Sequence, residues 1–299
     1  MRFQEMLMKF ALTWVLVAAA AFAATQEFPI AKPGCRERCG NISIPYPFGL
    51  TKDCYLNRYF LIRCNETFDP PRAFLTNSSI IVTEITLDGK LHILQSVVRD
   101  CYNTTSGAAA RDNNRWSMLR LSKFVVSDTD NMFAAIGCNT EATVLGSLKA
   151  DSDYVYKVGC MSMCNSLEYV PNNTCSGIGC CQTSLAKGVR YLNVTVSSYQ
   201  IKPPSTITGF SPCSYAFIIE TRSFKFASKN FSDLRSVKRL PLVLDWNIGD
   251  SNCTTVINNT MKSACQGNST CQNPGNGYGY ICKCLDGYQG NPYLSNGCQ

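Results

Sequence analysis

Eighteen cysteines in 299 residues restrict this chain more than any other feature of its sequence. The last six stand at Cys253, Cys265, Cys271, Cys282, Cys284 and Cys298. A segment this short cannot bury enough apolar surface to hold itself together, so covalent cross-links must do so. Zinc is a poor alternative. The single histidine, His92, lies far from the cluster, and no C-x2-C spacing occurs.

The N-terminus is read as a secretory signal peptide over residues 1–23. Arg2 and Lys9 are basic, residues 10–22 are uncharged and apolar, and Ala21-Phe22-Ala23 offers the small residues of a cleavage site. That run is shorter than the roughly 20 residues a membrane span needs. Ten N-x-[ST] sequons fit secretion. Asn41 lies in a motif expected to pack and Asn252 precedes a cysteine. The expected glycan acceptors are therefore Asn65, Asn77, Asn103, Asn172, Asn193, Asn230, Asn258 and Asn268. The expected location is extracellular, with membrane attachment only if the chain is a fragment of a longer receptor.

Composition describes a folded protein: 45% hydrophobic and 16% charged residues. Formal net charge is +7, which favours acidic partners. No Lys/Arg run of the kind that binds nucleic acid is present, so nucleic acid is not expected as a partner. Periodicity is mostly that of strands. Residues 80–86 and 90–94 flank Asp88-Gly89, a type I′ hairpin signal, with Leu87, Leu91 and Ile93 inward and His92 outward. Further strands are expected at 59–63, 122–126, 132–138, 190–196 and 215–220. One short helix is expected over 230–237, capped by Ser232.

The other twelve cysteines fall into two sets of six, 35–138 and 160–213. That division permits two self-contained units with a boundary near residue 150. Six cysteines allow 15 pairings, so connectivity stays open. The neighbours Cys180 and Cys181 are expected to reach different partners.

The C-terminal spacing, with Cys282-x-Cys284-Leu285-Asp286-Gly287-Tyr288-Gln289-Gly290, resembles an EGF-like repeat. The resemblance implies bridges Cys253–Cys271, Cys265–Cys282 and Cys284–Cys298. Cys39-Gly40-Asn41-Ile42-Ser43-Ile44-Pro45-Tyr46-Pro47-Phe48-Gly49 resembles the galacturonan-binding domain of plant wall-associated receptor kinases. Cys101-Tyr102-Asn103, Gly179-Cys180-Cys181, residues 240–246 and the tail 287–294 are similar to later segments of that family's extracellular region. The implied fold class is mainly β and disulfide-rich, with two cysteine-rich β domains followed by an EGF-like module. The implied domains are 24–150 (galacturonan-binding), 151–245 and 246–299. Family members continue into a membrane helix and a kinase, and the sequence contains no V-A-I-K, H-R-D or D-F-G element.

The resemblance implies a polyanionic ligand, homogalacturonan, in the plant cell wall. Arginine forks match its carboxylates and aromatic faces its rings. The candidate residues are Arg36, Arg38, Lys52, Arg58, Arg63, Tyr46 and Tyr59. A second basic segment, from Arg222 to Arg239, is a weaker candidate. Acidic wall polysaccharide, such as calcium-bridged pectin, is the expected partner, and a membrane receptor kinase is a further one. The alternative reading is a secreted protein-interaction module, acting through the EGF-like repeat or as a decoy or co-receptor. No catalytic, cofactor or metal set emerges. One histidine argues against a Ser-His-Asp site, and nothing singles out a carboxylate pair such as Asp100 with Asp112. Calcium in the EGF-like repeat is not expected, because no acidic residue or Gln adjoins Cys253 and the spacing from Asn273 to Tyr280 departs from the calcium-binding pattern.

Overall fold

A computed structural model describes residues 28–102, 114–148, 156–199, 205–258 and 263–299. The expected signal peptide, Asn103, Asp112 and most of the expected 146–153 linker lie outside the described residues.

In chain order the strands are β1 (Arg38–Cys39), β2 (Ile42–Ser43), β3 (Ile62–Asn65), β4 (Arg72–Leu75), β5 (Ile81–Ile85) and β6 (Lys90–Ser96). Then come β7 (Val98–Cys101), β8 (Trp116–Arg120), β9 (Val125–Val126), β10 (Asn131–Ile136), β11 (Asn139–Ser147) and β12 (Tyr156–Met163). The last are β13 (Cys180–Thr183), β14 (Tyr191–Ser198), β15 (Cys213–Glu220), β16 (Arg239–Asp245), β17 (Ser269–Gln272) and β18 (Ile281–Cys284). Helices are short: α1 (Ser205–Thr208), α2 (Asn230–Asp233) and α3 (Cys253–Asn258).

Three larger sheets form, ordered β3-β4-β5-β6-β16-β9, β13-β10-β15-β7 and β12-β11-β14-β8. All their ladders are antiparallel. β6 alternates cleanly, with Leu91 and Ile93 fully buried and His92 facing outward, as its period of two requires. The turn before it differs from the expected type I′. Gly89 has φ +92° but Asp88 has no positive φ, and Thr86 N–H donates to the Lys90 carbonyl at 3.0 Å. The loop therefore holds three residues and ends in a left-handed glycine. The short helix also differs. Ser232 sits inside α2 and its hydroxyl donates back to the Lys229 carbonyl, while Asn230 Oδ1 receives the Ala227 N–H. The expected strand 122–126 shrinks to β9, and 59–63 opens as a 3-10 turn over Arg58–Phe60.

The boundary near residue 150 does not separate the sheets. β10 pairs with β13 and β15, and β11 with β12 and β14. Two bridges cross the boundary, Cys101–Cys213 and Cys138–Cys164. The even split of cysteines counted thiols but carried no information about pairing. Cys180 joins Cys175, and Cys181 joins Cys160, tying β13 of one sheet to β12 of another. The chain changes sheets at Gly137, between β10 and β11. Its φ is +139°, and a Cβ there would lie 2.8 Å from the Cys213 carbonyl oxygen.

The C-terminal segment carries bridges Cys253–Cys271, Cys265–Cys282 and Cys284–Cys298 around the β17–β18 hairpin. It packs against the rest of the chain. Trp246 is fully buried between Phe48, 5.4 Å away ring to ring, and Tyr293 at 5.6 Å. Its indole N–H is shared by the Thr86 and Lys90 carbonyls.

Candidate ligand-binding grooves

The candidate residues of the N-terminal segment separate into distinct places. Pro45-Tyr46-Pro47-Phe48 runs through the core, so Tyr46 is only 8% exposed, with the Lys32 ammonium 4.7 Å from its ring centre. Burial raises the Tyr46 phenol above its ordinary range. Tyr46 therefore offers no open face for a sugar. Arg38 spans its own hairpin, donating to Ser43 Oγ and the Asn41 carbonyl. Arg36 forms an exposed ion pair with Glu66 at 2.5 Å. Lys52 is exposed beside the Cys35–Cys54 bridge. Arg63 lies over the Phe74 ring and donates to the Ser78 carbonyl.

Arg58 and Tyr59 do come together. Arg58 Nη2 donates to Tyr59 Oη at 3.2 Å. That bond and the guanidinium charge hold the Tyr59 phenol below its ordinary value. Both line a groove of about 340 Å³ whose opposite wall is the end of β8 and the turn after it, with Arg120 and Ser122. Thr76, Asn77 and Ser78 add polar groups, and no carboxylate lines the groove. Just outside, Lys123 lies 5.7 Å from the Tyr59 ring and is paired with Asp250 at 2.6 Å. Sequence reading missed Arg120 and Lys123, which lie about 60 residues beyond Arg58 and meet it only through the fold. The available signal was the alternation Trp116, Met118, Arg120, which marks the outer face of β8.

A second groove, about 450 Å³, joins Arg72 and Asn41 to Lys238 and Arg239 at the start of β16. It uses the end of the second basic segment and has no aromatic lining. Among the described residues, no cluster of three or more His, Cys, Asp or Glu could hold a metal ion. Asn273 Oδ1 is engaged by the Cys253 N–H at 2.8 Å.

Comparison with known proteins shows what this sequence is similar to. The family described as Wall-associated receptor kinase galacturonan-binding matches residues 35–95, the span that carries Arg58, Tyr59 and the wall Thr76–Ser78. Wall-associated receptor kinase 2 of Arabidopsis thaliana is 37% identical over 268 residues, 89% of this chain and 34% of that protein. The chain resembles the extracellular region of the wall-associated receptor kinases. Wall-associated receptor kinases 5 and 1 of the same plant are 36% and 35% identical, over 95% and 90% of this chain. The chain spans about a third of the length of these relatives. No solved structure matches it. No helix among the described residues is long and apolar enough to cross a membrane.

Proposed function

We propose that this chain is an extracellular, non-catalytic module that binds de-esterified galacturonan of the plant cell wall in the Arg58–Tyr59–Arg120 groove. The observation that carries the reading is the groove itself. It opens from the segment similar to galacturonan-binding domains, and it sets two arginines and a half-exposed tyrosine together with no carboxylate. Arginines pair with uronate carboxylates, and the Tyr59 face receives a sugar ring.

Binding of oligogalacturonate to the secreted chain, followed by calorimetry at rising salt, tests this. Affinity is expected to fall as salt screens the charges. Arg58→Glu with Arg120→Glu should weaken binding at least tenfold. Arg36→Glu with Arg38→Glu should change it little, because those residues do not line the groove. Equal loss in both double variants, or equal affinity for methyl-esterified pectin, overturns the assignment. Asn77, an expected glycan acceptor, lines the same groove, so Asn77→Gln should leave affinity unchanged or raise it.

A further inference from the structure

The sheet β12-β11-β14-β8 is packed on one face and open on the other. Along β14, Leu192, Val194 and Val196 are buried, while Asn193 and Thr195 point the opposite way. On the neighbouring β8, Met118 stands directly opposite Asn193, and Trp116 opposite Thr195. Trp116 is 59% exposed and Met118 47%. β8 is an edge strand of this sheet. Large apolar side chains beside an unpaired strand edge invite strand addition and aggregation.

Asn193-Val194-Thr195 is a sequon, and residues i and i+2 of a strand share a face. Acceptor amide and sequon hydroxyl therefore both sit on the open side. Thr195 Oγ1 is held by Thr143 Oγ1 at 2.7 Å. Asn193 itself is partly exposed; its Oδ1 is covered by neighbouring atoms but accepts no hydrogen bond among the described residues, so no bond of that oxygen fixes the amide in the sheet. At Asn65, Asn172 and Asn230 the amide oxygen instead accepts a backbone N–H.

We propose that Asn193 carries an N-linked glycan whose first N-acetylglucosamine lies across Met118 and Trp116 and closes this face. The inference rests on the extracellular reading above, since the donor, an oligosaccharide on a lipid pyrophosphate, is met on the secretory route. In the transfer, Asn193 Nδ2 bonds to the anomeric carbon of the sugar. The lipid pyrophosphate leaves with the electrons of the broken C–O bond, and Nδ2 loses one proton. Directly opposed residues have Cβ atoms about 4.5–5.5 Å apart and diagonal ones about 7–8 Å, so one pyranose ring reaches both side chains. Its C–H face meets the electron-rich indole, and its hydroxyls stay in water.

The tryptophans supply the readout. The sequence has three, Trp14 in the expected signal peptide, Trp116 and Trp246. Trp246 is fully buried, so acrylamide quenching of the processed chain reports Trp116. Peptide mapping of the secreted chain after glycan release should find Asn193 occupied, and Thr195→Ala should abolish occupancy at that site alone. Asn193→Gln should raise the quenching constant about twofold, and Asn258→Gln should not. Should Asn193→Gln fail to be secreted, glycosidase treatment of the folded wild type replaces it. Trimming to the first sugar should leave quenching unchanged, and complete removal should raise it. A bare Asn193 among occupied sequons overturns the proposal, as does equal quenching with and without the first sugar. If every sequon is bare, the secretory reading falls with it.

Discussion

Asn291 Nδ2 donates to the Tyr46 carbonyl oxygen at 2.7 Å across 245 residues of sequence. The same amide donates to the Ile30 carbonyl, also at 2.7 Å, and Asn291 is 1% exposed. One side-chain NH₂ therefore satisfies two acceptors of the N-terminal segment. Asn291→Ala should cost about 1–3 kcal/mol by stranding the Tyr46 carbonyl, while the Ile30 carbonyl keeps the Tyr46 N–H at 2.8 Å. Asn291→Asp should cost more, because an ionised carboxylate has no proton to donate and faces two carbonyl oxygens. Denaturant unfolding with the bridges intact measures both, and equal stability of all three proteins would refute the docking role.

Lys90 lies between Asp130 at 2.6 Å and Asp245 at 2.8 Å. Burial by itself would raise the Asp130 carboxyl, but hydrogen bonds from Lys90 and Ser127 outweigh it and hold the group below its ordinary value. A depressed carboxyl contributes stability above its unfolded pKa and loses it as pH falls through the folded one. Stability should accordingly decline from about pH 4 downward. Lys90→Met should lower stability at neutral pH and flatten that acid limb in pH-dependent unfolding.

The Tyr156 phenol is buried without a hydrogen-bond partner among the described residues, and burial pushes its pKa up to about 12. Because burial alone raises it, the shift costs nothing below the unfolded value, near 10, and stability is lost as pH rises from there toward the folded one. Alkaline unfolding should steepen over that window. Tyr156→Phe should soften it and be neutral or stabilising by up to ~1 kcal/mol at pH 7, since it deletes an unsatisfied hydroxyl. Marked destabilisation at neutral pH would show that the hydroxyl has a partner.

Cys101–Cys213 closes a loop with a sequence separation of 112, and Cys175–Cys180 one of 5. Loop entropy assigns the first roughly 4–5 kcal/mol and the second about 2. Replacing each pair by serine and comparing denaturation midpoints tests the ranking. A larger loss from the short loop would mean that local packing, not loop closure, sets the effect.

Legibility from sequence followed the physics of each element. The 81–96 hairpin was readable because alternation over β5 and β6 survives burial of one face. β16 was read as a motif and not as a strand, because Leu240 to Trp246 has a proline and a nearly continuous apolar run. β11 and β12 were hidden by Ala142, Gly146 and Gly159, which weaken β propensity while cross-strand packing holds the ladder. Which cations share a groove was not readable at all. Arg36 and Arg38 lie close to Arg58 in sequence yet make their contacts outside its groove, whereas Arg120 is brought to that groove by sheet topology.

The bridged loop around Asn291 also sets how this chain carries load. Pulling at residue 299 first meets the loop closed by Cys284–Cys298, and Asn291 within it grips the backbone at Ile30 and Tyr46. Covalent tension passes through that bridge into Cys284 and β18, which leaves Asn291 outside the load path. Reducing the bridge puts the latch in series with the chain, so the disulfide is what shields the docking contact from force.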